Sequence, residues 1–145
     1  MGALAVYSAT NPLMGTWRLQ SQEINGQTQK SEPLTLKISQ AGDKLTFAFS
    51  VPVNNVYFVS MSYTAKLDGS DADIKSANGE KIGTVQVRAV APFQYKITMR
   101  GPNRPQSSGT LIVSADSKTL ISEQSANQPG SSGTTMHSKQ IFSRD

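Results

Sequence analysis

Apolar and polar residues alternate with a period of two through most of this chain, and the 3.6-residue period of amphipathic helices is nearly absent. That pattern predicts an all-β protein. Leu34, Leu36 and Ile38 alternate with Thr35 and Lys37, and after the turn Ala41-Gly42-Asp43 the alternation resumes with Leu45, Phe47 and Phe49, which reads as a hairpin. The run over residues 56–67 puts Tyr57, Val59, Met61, Tyr63, Ala65 and Leu67 on one face and Ser60, Ser62, Thr64 and Lys66 on the other. Asp68-Gly69-Ser70 ends that run, a short strand follows over 73–76, and Asn78-Gly79 is the strongest hairpin signal in the chain. Further strand runs cover 84–90, 93–100, 109–115, 119–124 and 134–143. Pro92, segment 101–105, Asp116-Ser117-Lys118 and the Ser/Asn/Gly-rich loop 125–133 separate them.

About ten successive strands with short connections suit a single up-and-down antiparallel β-barrel, which removes the exposed edges that a two-sheet sandwich would keep. No repeat or linker interrupts the series, so residues 13–145 are expected to form one domain behind an N-terminal arm, residues 1–12. Residues 1–9 are mildly apolar and read either as the remnant of a trimmed secretion signal, which slightly favours a secreted or periplasmic location, or as an ordinary arm. A chain of 145 residues buries a core without staples, and the absence of cysteine removes thiol catalysis, cysteine metal sites and disulfides together. The net charge is +4, but lysines and arginines are scattered singly rather than striped among aromatics, so no nucleic-acid partner is expected. No apolar run approaches the roughly 20 residues of a helical membrane span, so no membrane insertion is expected.

Residues 13–23, LMGTWRLQSQE, are similar to the opening strand of the intracellular fatty-acid-binding proteins, Phe-x-Gly-Thr-Trp-Lys-Leu-x-x-Ser-x. YTAKLDGSD (63–71) and VSADSKTL (113–120) resemble a group of bacterial lipocalin-like domains. The resemblance implies a calycin barrel around an internal cavity that takes a small hydrophobic or amphipathic molecule without a cofactor. It also implies that Gly15 makes the sharp entry at the closed end, that Trp17 plugs that end, and that Arg144 lies over the indole. Two departures from the fatty-acid-binding pattern bear on chemistry. The helical lid is missing, because residues 24–33 are too few for two helices. In the last strand, where that family grips a carboxylate with Arg-x-Tyr, KQIFSR (139–144) places Gln140 and Phe142. A neutral amide offers donors and acceptors but no charge, so the expected ligand is uncharged. The expected cavity residues are Leu36, Ile38, Phe47, Phe49, Tyr57, Val59, Met61, Tyr63, Tyr95, Ile97, Met99, Gln140 and Phe142.

Other chemistry is less well supported. His137 is the only histidine, and haem-binding barrels of the nitrobindin type use a histidine on the final strand. Here Arg18, Leu19 and Gln20 follow Trp17 in place of that family's Gly-x-Gly, and strand parity turns His137 outward if Phe142 points in. Glu23, in phase with Trp17 and Leu19, is the one candidate for an inward carboxylate in a calycin enzyme of isomerase or hydratase type, and a solvated strand end is the plainer reading. No catalytic constellation is expected. Around Asp68, Asp71 and Asp73 the glycine at position 69 and the absent terminal glutamate do not match an EF-hand, so no metal site is expected. The basic, proline-stiffened loop 100–106 is the candidate for an interaction or inhibitor module.

Overall fold

In the computed structural model, residues 11–30, 33–101, 104–127 and 135–144 are described. Residues 1–10 of the expected arm lie outside that set, as do 128–133 of the loop before the last strand and Thr134, the expected start of that strand. The chain forms β1 (Gly15–Ile24), β2 (Gln27–Gln29), β3 (Thr35–Ala41), β4 (Lys44–Val53), β5 (Val56–Lys66) and β6 (Asp68–Ser76). It continues with β7 (Lys81–Ala91), β8 (Gln94–Gly101), β9 (Arg104–Val113), β10 (Thr119–Asn127) and β11 (Thr135–Arg144). Neighbours from β3 to β11 pair in chain order, and β1 joins β3 on one side and β11 on the other. The result is a closed, all-antiparallel, up-and-down barrel of ten strands with β2 as an extra strand on the outer half of β1. No helix occurs among the described residues. Residues 24–33, expected to be too few for two helices, contribute β2, which turns back on β1 through Asn25 and Gly26, both with positive φ.

The β5–β6 register, Met61↔Ser76 and Ser62↔Lys75, centres the reversal on Asp68-Gly69, as expected, with Gly69 at φ +86° and the Ser70 N–H donating to Asp68 Oδ1 at 2.9 Å. One expected boundary moves. The stretch 100–106 is mostly strand: β8 runs to Gly101 and β9 starts at Arg104, with Gly101 paired to Arg104. Pro102 and Asn103 lie outside the described residues.

One end is closed by a packed plug. Leu13, Trp17, Leu120 and Phe142 are buried there, and the indole Nε1 donates to the Leu13 carbonyl at 2.8 Å. Trp17 pairs with Arg144 across β1 and β11, and the guanidinium carbon stands 4.1 Å from the ring centroid, a cation-π geometry. The same guanidinium donates through Nε to Ser117 O at 2.7 Å, through Nη2 to Pro12 O at 2.7 Å, and through Nη1 to Met14 O. Gly15, at φ +132°, lies where a Cβ would run into that guanidinium.

Two bulges set which residues face inward. On β1, Leu19 pairs with Phe142 and Ser21 with Ile141, so Gln20 is an extra residue. On β5, Met61 pairs with Phe49 and Val59 with Ser50, so Ser60 is extra, and its hydroxyl donates to Phe49 O at 3.2 Å. Each extra residue reverses strand parity beyond it. Beyond Gln20, Gln22 pairs with Gln140 on the inner face and Glu23 with Lys139 on the outer, which corrects the expectation of an inward Glu23. Beyond Ser60, Tyr57 and Val59 sit on the outer face and are about half exposed, which corrects their assignment to the cavity.

The β5–β6 junction has the shortest ladder in the barrel. Only Met61↔Ser76 and Ser62↔Lys75 pair there, whereas every other barrel junction carries a longer ladder.

Candidate ligand cavity

Above the plug, the inward side chains of β3–β5 and β8–β11 leave a cavity of about 340 Å³. Leu36, Phe47, Phe49, Met61, Tyr63, Ile97, Met99, Gln140 and Phe142 line it, as their alternation predicts. Leu34, Ser60, Ser107, Leu111, Ser122 and Gln124 line it as well and were not among the expected residues. Besides Tyr57 and Val59, two more expected residues fall elsewhere. Ile38 is buried in the core without reaching the cavity, and Tyr95 is buried nearer the closed end, its hydroxyl donating to Asn11 Oδ1 at 3.2 Å.

The walls differ in chemistry. Along β3, β4, β5 and β8 the lining is apolar apart from Ser60, and its centre is Phe47 stacked on Tyr63 at 4.8 Å between centroids, with Phe49 tilted against the same tyrosine at 6.2 Å. Along β9, β10 and β11 it carries neutral polar groups: Ser107, Ser122, Gln124 and Gln140. Ser122 and Gln140 are direct cross-strand partners, and Gln124 stands one inward step further along β10. Gln124 faces Gly109 across β9, where any Cβ would collide with the β10 backbone at Glu123, so only glycine lets the two strands approach this closely.

The cavity holds no formal charge. None of its lining residues is acidic or basic, and burial pushes the Tyr63 phenol upward from its ordinary pKa, keeping it protonated. Within this neutral wall one group stands out. Gln124 Oε1 is buried and has no hydrogen-bond partner among the described residues. A buried acceptor left unpaired costs about 1–3 kcal/mol.

The titratable groups singled out in the sequence lie outside the barrel. His137 is exposed, its Nδ1 is 2.7 Å from Ser125 Oγ, and its backbone N–H donates to Asn25 Oδ1 at 2.9 Å. Glu23, Glu123 and Lys139 share that outer groove, with the sheet between them and the cavity. Among the described residues no three His, Asp or Glu side chains converge as metal ligands. The Ser125–His137 contact escaped sequence reading, because it is a cross-strand pair between positions 12 apart that depends on register.

The missed cavity residues are explained by phase and strand start. Continuing inward from Leu120 by twos reaches Ser122 and Gln124, a signal that was present but polar. Ser107 precedes the strand start expected at 109, so it had no phase to be read from. No protein-family model and no curated protein matches this chain.

Proposed function

We propose that this protein is a carrier or binding protein of calycin type for a small, uncharged, largely hydrophobic molecule that hydrogen-bonds along one side. The observation that carries this reading is the charge-free cavity with one largely apolar wall and one wall carrying the neutral polar residues Ser107, Ser122, Gln124 and Gln140. Its volume of about 340 Å³ falls within the range of ligand pockets, roughly 300–1,000 Å³. The tryptophan plug under an arginine supports the calycin reading, and the residues at 140 and 142 bear on the ligand. Gln140 and Phe142 line the cavity where a carboxylate grip would need a cation, so a fatty acid has no counter-charge to meet.

The test is displacement of a fluorescent apolar probe by a fatty acid and by the alcohol of equal chain length. Both gain about 0.8 kcal/mol per buried methylene, while only the acid desolvates a charge without a partner. The alcohol is expected to bind tighter, and Gln124→Leu is expected to narrow its advantage. A tenfold preference for the acid, equivalent to about 1.4 kcal/mol, would refute the neutral-ligand reading, and no probe uptake at all would refute the cavity.

A further inference from the structure

The hairpin of β4 and β5 outgrows the barrel. β3 stops pairing with β4 at Thr35↔Ser50, and β6 pairs with β5 only at Met61 and Ser62, so residues 51–59 stand as a two-stranded ribbon with no strand on either side among the described residues. Its register puts Val51, Val53, Val56 and Phe58 on one face and Pro52, Tyr57 and Val59 on the other. Both faces are apolar. Val53, Val56, Tyr57, Phe58 and Val59 are each 45–56% exposed, and the whole stretch 45–65 carries no charged residue.

We propose that this ribbon docks the protein onto the surface of a zwitterionic phospholipid bilayer. A protein partner packing against a ribbon covers one face, whereas the boundary between headgroups and acyl chains wraps both. The exposed side chains amount to a few hundred Å², and two such ribbons packed together fall short of the roughly 1,200 Å² of a stable specific interface. Tyr57 and Phe58 are residues that settle at bilayer interfaces. Burial of about 5–10 Å is what a surface-bound element reaches, and a ribbon of this length spans little more than that. Asn54 and Asn55, both in the left-handed region (φ 54° and 65°), form the apex. Their amides hydrogen-bond among headgroups, so the ribbon lies obliquely rather than driving inward.

The ribbon rises from Phe49, Ser60 and Met61, which line the cavity. Docking therefore sets that side of the cavity against lipid, where an apolar ligand is most abundant; this use rests on the binding reading, while docking itself does not. The expectation of no membrane insertion concerned spanning runs, and surface docking needs none.

Flotation of the full chain with phosphatidylcholine vesicles tests the proposal. The protein is expected to float with them equally at low salt and at about 1 M salt, where the Debye length is about 3 Å. Tyr57→Asp with Phe58→Asp should lower partitioning at least tenfold, and Tyr57→Ser with Phe58→Ser should act in the same direction. Val90→Asp, at an equally exposed valine in the β7–β8 hairpin beside Asn11, should leave partitioning unchanged. All variants should keep the wild-type melting temperature and probe uptake. The proposal is overturned by absence of flotation, by flotation that needs anionic lipid and vanishes in salt, or by a dimer that the ribbon substitutions dissolve without changing flotation. Flotation with no probe uptake by the wild type would remove the binding reading and leave docking standing.

Discussion

Arg144 does several jobs with one planar group: it covers the Trp17 ring and donates to three backbone carbonyls, at Pro12, Met14 and Ser117. A guanidinium spreads fixed donors over such a set, and an ammonium does not. Arg144→Met is therefore expected to destabilise the barrel by about 2–4 kcal/mol, from charge-assisted hydrogen bonds and the cation-π contact together. Arg144→Lys should recover only a small part of this, and neither should change probe affinity; chemical denaturation and probe titration check both. A second residue-scale expectation concerns acid. In the β9–β10 turn, Asp116 accepts from Ser114 Oγ at 2.6 Å and from the Lys118 N–H at 3.0 Å, and these bonds hold its carboxyl below the usual range. A carboxyl depressed in the folded state stabilises the fold above its unfolded pKa and loses that contribution as pH falls through the folded value. Asp116→Ala should lower the melting temperature near neutral pH, and the gap should close as the pH falls below the carboxylate range. At this scale the sequence was legible where geometry is local. The facing of Arg144 and Trp17 was what the family resemblance implied, with alternation turning both side chains inward, whereas the unpaired Gln124 acceptor depends on what three neighbouring strands bring near it.

Strand boundaries and turns were legible from punctuation, because Gly, Asn, Asp and Pro mark reversals for steric reasons. The bulges were not. A single inserted residue leaves the composition of a strand untouched and shows only against its partner's register, so Gln20 and Ser60 looked like ordinary members of alternating runs. Each reversed the residues beyond it, sending Glu23 out of the barrel and Tyr57 and Val59 to the outer face. The ribbon beyond Ser60 follows from where β3 and β6 stop pairing. An isolated two-stranded hairpin is marginal in water, so amides within 51–59 are expected to exchange well ahead of those of β7 and β8, which have a ladder on both sides. Hydrogen exchange read by mass spectrometry distinguishes the two. Equal protection would mean that the ribbon is covered in solution.

For the whole molecule, the period-two pattern and short connections made a sequential barrel legible, while the space inside it was not. The same inward sequence serves a filled core or a hollow one, and the difference arises from where the large side chains stop. Here the plug of Leu13, Trp17, Leu120 and Phe142 fills one end, while serines and glycine at 107, 109 and 122 leave room further up. The closing junction carries a consequence for how the protein is made. β1 has its long ladder with β11, more than a hundred residues downstream, and touches β3 only over Gly15 to Arg18. On a ribosome the first strand therefore emerges long before its main partner exists. Until β11 clears the exit tunnel, the nascent sheet carries two raw edges and an unplugged base, so the interval before closure, rather than the finished barrel, is when this chain most needs a chaperone.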